Sequence, residues 1–140
     1  MRGLCMEDLA VGQAAELTRT VAAADLDAFA AVTGDDNPIH LGEEYAAAGP
    51  FKGRVAHGML TAGYISATIG AKLPGPGAIY VSQTLRFRRP VRIGDTVTAR
   101  VEITALDQAR SRATLATVCR VNGKAVVEGE AEVMVPRRGP

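Results

Sequence analysis

Residues 57–73 read HGMLTAGYISATIGAKL, and the way the apolar groups are spread along them decides the fold. Met59, Leu60, Ala62, Gly63, Ile65, Ala67, Ile69 and Ala71 leave no polar face at the 3.6-residue period. A helix that is apolar all round is a buried one, and this one is predicted to lie in the core. Its glycines and alanines let other backbones come close. Gly70 weakens it locally, and PGPG at 74–77 ends it.

Downstream of this helix the period falls to two. Ile79, Val81, Leu85 and Phe87 alternate with Tyr80, Ser82, Thr84, Arg86 and Arg88, which predicts one half-buried strand. Val97, Ala99, Val101 and Ile103 repeat the pattern against Thr98, Arg100, Glu102 and Thr104, and a third run covers residues 112–121. Asn122-Gly123 predicts a type I′ hairpin, whose two central residues both need positive φ. The last strand, 124–135, sets Ala125, Val127, Ala131 and Val133 opposite Glu128, Glu130 and Glu132. Consecutive antiparallel strands thus share one apolar face, and one apolar helix is available to cover it. The prediction is an α+β fold, a sheet wrapped around a central helix, in a single domain over 1–140.

Upstream, residues 14–21 read as a short strand. Leu26, Phe29, Ala30 and Val32 then recur at helical spacing over 22–33, with Gly34 as a stop. Residues 35–56 are broken by Pro38, Gly49-Pro50 and Gly53, so this stretch is expected to be mostly irregular, with one helical turn at 43–47.

Composition excludes several classes of function. The 16 basic and 15 acidic residues give a net charge of +1, no electrostatic reason to expect nucleic acid or an anionic membrane. No run of about 20 apolar residues is available to span a bilayer. The start, MRGLCMEDLAVG, lacks a signal-peptide pattern. Cys5 and Cys119 form no CxxC and are read as free thiols in a reducing cytoplasm.

The chemistry gathers in TGDDNPIH, residues 33–40. Pro38 biases Asn37 away from the helical region, so Asp35 and His40 flank a turn rather than share a helix face. Three readings remain open: a plain Asx turn, a metal site, or an acid/base pair. The metal reading is the weakest, because only His57 is available to join His40 and their spacing matches no common ligand pattern. A second element adds weight to catalysis. The first amides of a helix lack internal partners and carry the positive end of its dipole. Gly58, at the start of the core helix, lets a substrate oxygen approach such an amide, as an oxyanion hole requires.

The stretch FAAVTGDDNPIH at 29–40, with Ala46 following, resembles the hydratase 2 motif of the MaoC-like, (R)-specific enoyl-CoA hydratases. The resemblance continues through VAHGML at 55–60, LPGPGAIYVSQTLRFRRPV at 73–91 and GDTVTARVEITAL at 94–106, about residues 15–135 in all. It implies a hot-dog fold, a homodimer, and addition of water to trans-2-enoyl thioesters of coenzyme A or acyl-carrier protein. It implies no resident cofactor and no metal, coenzyme A arriving as part of the substrate. On this resemblance Asp35 and His40 hold and deprotonate a water, the Gly58 amide binds the thioester oxygen, and Asn37 orients the loop or the water. Some family members carry a hydroxyl residue where this chain has Gly63. Thr61 is then the candidate to help place the water, with Ser66 the other nearby hydroxyl, and Gly63 is expected to enlarge the acyl pocket.

The remaining polar residues are read more plainly. Asp36, Lys52, Arg54, Arg86, Arg88 and Arg89 are expected to be solvated, Gln83 to be a satisfied sheet residue, and His57 to cap the helix. Tyr45 and Tyr64 are candidates for core packing or for the acyl tunnel. Two other functions fit the fold class. A hot-dog thioesterase usually carries its acid on the central helix, and residues 57–73 hold none. A non-catalytic scaffold subunit would not need Asp35, Asn37 and His40 together.

Overall fold

The computed structural model describes residues 2–139. Five longer elements carry the core: β1 (Ala14–Thr20), α4 (Gly58–Ala71), β4 (Thr96–Asp107), β5 (Arg112–Val121) and β6 (Lys124–Met134). Between β1 and α4 run α1 (Ala23–Thr33), α2 (Pro38–Leu41) and α3 (Glu43–Ala48), and after α4 come the short strands β2 (Ile79–Gln83) and β3 (Arg86–Phe87). The strands form one antiparallel sheet in the order β1-β4-β5-β6-β2, with β3 also beside β6.

The alternation read from the sequence is the one that folds. Val97, Ala99, Val101 and Ile103 of β4 are fully buried, as are Ala113, Leu115 and Cys119 of β5 and Val133 of β6. Ile65 and Ile69 of α4 pack into this face, joined by Val21, Leu26 and, from the N-terminal turn, Met6. Asn122 and Gly123 take φ of 50° and 78°, the positive pair that the hairpin requires.

Three expectations are corrected. The strands do not pair in chain order, because β2 runs beside β6 and leaves β4 to pair with β1. The 79–88 run is two strands, not one. The Thr84 carbonyl approaches Gly129 of β6 so closely that only a residue without Cβ fits there, and the Thr84 hydroxyl accepts the Glu130 N–H at 3.0 Å. These contacts take the chain out of the ladder. Ile79, Val81 and Phe87 are accordingly exposed rather than half-buried. Finally, α4 is buried on one side only. A helix laid on a single sheet has its other side uncovered, and here Met59, Gly63, Ala67 and Gly70 line that open side.

Ile65 is the central contact between helix and sheet, with no exposed surface. Ile65→Ala is expected to cost about 2–5 kcal/mol, read from urea unfolding followed by circular dichroism. A loss below about 1 kcal/mol would mean that α4 is not the core element.

Candidate active site

The first half of the site is the loop between α1 and α2. The Thr33 hydroxyl donates to the Phe29 carbonyl at 2.7 Å and accepts the Asp35 N–H at 3.1 Å, which fixes the backbone of Asp35 at the helix end. Asn37 then N-caps α2, its Oδ1 accepting the Ile39 N–H at 3.2 Å. Pro38 occupies the first helical position, where its missing N–H leaves no partner unsatisfied. The stretch expected to be irregular therefore holds two short helices, and His40 sits on the first of them.

The second half is the entry to α4. The His40 Nδ1 lies 2.7 Å from the Val55 carbonyl. A carbonyl only accepts, so Nδ1 carries the proton and Nε2 presents a lone pair. The same logic applies to His57, whose Nε2 lies 3.0 Å from the Asp35 carbonyl. His57 is the N-cap residue of α4, as expected, but its side chain makes no capping hydrogen bond. Its buried imidazole ties the Asp35 loop to α4 and stacks on both sides, with ring centroids 3.9 Å from His40 and 4.6 Å from Phe29.

A cavity of about 550 Å³ opens over these groups. Asp35, Asn37, His40, Gly58 and Thr61 all line it, so the five residues singled out in the sequence are brought together. Thr61 is buried, and its hydroxyl has no partner. Thr68, on the same helix, instead donates back to the Tyr64 carbonyl at 2.7 Å. Donor atoms of Asp35, His40 and His57 lie within 4.8 Å of one another, close enough to suggest a cation site. The ring stacking opposes that, because lone pairs of face-stacked imidazoles run side by side instead of converging on one ion.

Other residues fall away from the cavity. Gly63 and Ser66 face the open side of α4, so Gly63 does not enlarge this pocket. Tyr45 is exposed and Tyr64 is core. Gln83 is satisfied within the sheet, bonded to Tyr80, the Thr84 carbonyl and Thr117. Asp36 is exposed as expected. Arg88 and Arg89 line the mouth, Arg88 paired with Glu128 at 2.7 Å. Arg54 is not solvated: its side chain is only 10% exposed. Sequence reasoning missed the structural work of His57, Phe29, Val55 and Phe87. The available signal was that both of the chain's two histidines flank this loop.

Residues 9–127 match the MaoC like domain. The chain belongs to the MaoC-like family. It is 55% identical to an (R)-specific enoyl-CoA hydratase of Rhodospirillum rubrum, over 95% of this chain and 92% of that protein. It is 52% identical to a 3-hydroxybutyryl-CoA dehydratase of Methylorubrum extorquens, over 99% of this chain and 88% of that one. The crystal structure of the unliganded R-hydratase PhaJ1 from Pseudomonas aeruginosa superposes with a TM-score of 0.92 at 48% identity, covering 97% of this chain and 88% of that one. The α+β architecture of this MaoC-like chain is the hot-dog fold.

Gly58 has a second reason to be glycine. A Cβ placed there would lie 2.6 Å from the ring of Phe87, which covers the start of α4. Gly58→Ala is expected to cost about 1–3 kcal/mol through overpacking, and Phe87→Ala in the same chain should recover part of it. Thermal unfolding of the three variants reads this, and a Gly58→Ala protein as stable as its parent would contradict it.

Proposed function

We infer that this chain is an (R)-specific enoyl-CoA hydratase, a hydro-lyase that adds water to trans-2-enoyl thioesters and dehydrates (3R)-3-hydroxyacyl-CoA in reverse. The relatives named for those activities, matched over nearly their whole length, support the reading. The observation that carries it in this molecule is the placing of Asp35 and His40 on one cavity with the first amide of α4. Two groups that hydrogen-bond one water stand about 4.5 Å apart, and a carboxylate oxygen of Asp35 lies within 4.8 Å of a ring nitrogen of His40.

The chemistry follows from the proton inventory. With Nδ1–H bonded to the Val55 carbonyl, Nε2 of the neutral ring carries the lone pair that accepts a proton from a water held between it and the Asp35 carboxylate. The hydroxide equivalent bonds to Cβ of the enoyl thioester, and the π electrons move toward the thioester oxygen. The Gly58 N–H has no carbonyl partner within its helix and donates to that oxygen as its charge grows. The imidazolium, or the carboxylic acid if Asp35 takes the proton, then protonates Cα on the face from which water came. Asn37 acts through the helix α2 that it caps, and the Thr61 hydroxyl, buried and unpartnered on the same cavity, is the further candidate to hold the water. No resident cofactor enters. The coenzyme A or acyl-carrier-protein portion belongs to the substrate, and no metal takes part.

Thioester hydrolysis is the poorer reading. Among the described residues no Ser, Cys or Lys lines the cavity, and α4 carries no carboxylate. Burial pushes the Cys119 thiol up to about 12, which keeps it from acting as a nucleophile.

The reading includes a homodimer in the cytoplasm. Strand β2 is paired on one side only, and its exposed Ile79 and Val81 lie on an edge that a second copy can cover. Phe87, which lines the cavity beside Gly58, is 55% exposed in the single chain. Among the described residues no helix is long and apolar enough to cross a membrane, and both cysteines are free. Light scattering is expected to give twice the chain mass of 14.6 kDa; a monomer at micromolar concentration would remove this part of the reading.

Incubation with crotonyl-CoA is expected to consume the conjugated-enoyl absorbance and yield the R-3-hydroxy product. Asp35→Asn and His40→Ala should each lower kcat by roughly 10² to 10⁴, and Thr61→Val by about tenfold, the worth of one hydrogen bond. An S product, thiol release without hydration, or full turnover in His40→Ala would each reject the assignment.

A further inference from the structure

His40 is held at more points than its own helix supplies. Helix α2 has only four residues, and the last carbonyls of any helix lack an amide partner. The His40 carbonyl is one of these. It accepts the Nε–H of Arg54 at 2.6 Å. The next residue, Val55, accepts the His40 ring Nδ1–H at 2.7 Å, and its own N–H reaches the Ile39 carbonyl at 3.4 Å. One dipeptide thus grips His40 by its backbone and by its ring.

We propose that Arg54 is a positioning residue for the reaction, its guanidinium capping α2 so that His40 keeps the Nδ1–H tautomer and presents Nε2 to the cavity. This rests on the hydratase reading, in which His40 Nε2 takes the proton of water. The surroundings of Arg54 favour it over a purely electrostatic role. Its side chain is 10% exposed, whereas the carboxylates it meets at 3.3 Å, Asp27 of α1 and Glu43 of α3, are 66% and 77% exposed. Pairs with such exposed partners contribute little. A charge is not taken out of water for contacts of that kind alone. The short, buried contact is the one to the His40 carbonyl. The two carboxylates hold the planar fork so that Nε–H points there. Lysine, with a single ammonium on a flexible stem, cannot make all three contacts at once.

The test uses the full chain and two independent readouts. Arg54→Lys and Arg54→Ala are compared with the parent and with the double variant Asp27→Asn, Glu43→Gln, which keeps the carbonyl contact. Both Arg54 variants should lower kcat roughly 10- to 100-fold with KM within about twofold, the scale of a small misplacement of a catalytic group. The double variant should stay within about threefold. Because the chain has only two histidines, 15N-histidine labelling gives two imidazoles to assign. In the parent, His40 should show one protonated nitrogen, Nδ1. In the Arg54 variants it should move to a mixture of tautomers in protein that remains folded. Should Arg54→Lys not fold, the same spectra on Arg54→Gln decide the point. Parent-like kcat, an unchanged His40 spectrum, activity lost only in proportion to unfolded protein, or a double variant as impaired as Arg54→Ala would each overturn the role. Failure of the hydratase reading is separate: it shows as full turnover in His40→Ala, whatever Arg54 does.

Discussion

The burial of one side of α4 against β4, β5 and β6 is the constraint on which the other features depend. Ile65 and Ile69 leave water by joining Val101, Ile103 and Leu115 in one buried core, which seats the helix on the sheet. Its N-terminus then falls beside Val91, whose carbonyl takes the Ala56 N–H at 2.7 Å, and below the ring of Phe87. The amide of Gly58 is thereby positioned by core packing, and the His57 bond to the Asp35 carbonyl adds a second hold at the same helix entry. An oxyanion donor needs that kind of rigidity, because it must not move when charge develops.

The acid/base side is fixed differently, by polar contacts that cross chain segments. His57 joins the two halves, since it belongs to the entry of α4 and donates to the Asp35 carbonyl. The stack of Phe29, His57 and His40 spans α1, α4 and α2 and sets the ring plane of His40. His57 is buried with its Nδ1 unpartnered, whereas His40 is half-buried and lines the cavity.

Much of this was legible in the residues. The period-two runs of β4, β5 and β6 and the Asn122-Gly123 turn determine strands with mainly buried inner faces, and local pattern agrees with global packing there except at the start of β6, where Val126 is buried and Ala125 only half-buried. Proline, Asx and glycine at fixed offsets pointed to the two segments that meet at the cavity, while the roles of Asp35, Asn37, His40 and Thr61 were expectations from the family resemblance. What could not be read was anything that depends on pairing between distant segments. The position of β2 beside β6, the break at Thr84 forced by Gly129, and the guanidinium of Arg54 reaching the His40 carbonyl are all long-range facts. A charged residue is ordinarily solvated, so nothing local marked Arg54 as buried. The open side of α4 was misread for a related reason. A period that is apolar all round says what a helix can cover, and not whether a second layer is present in the same chain.

The unsatisfied atoms bear on function as well. Among the described residues, the buried side-chain nitrogens and oxygens without a partner are His57 Nδ1, Thr61 Oγ1 and Arg112 Nε. His57 and Thr61 both line the cavity. Each such group costs on the order of 1–3 kcal/mol if nothing meets it, and the fold had a remedy within reach. Thr68 shows it, seven residues on in the same helix, by bonding back to the Tyr64 carbonyl. Thr61 does not take the equivalent bond. A sequence under pressure for stability alone would place an apolar residue there, as it does at Ile65. A buried hydroxyl without a protein partner on the cavity instead offers a hydrogen-bonding position that a water or the substrate can fill, and this distinguishes the first turn of α4 from the turn that carries Thr68.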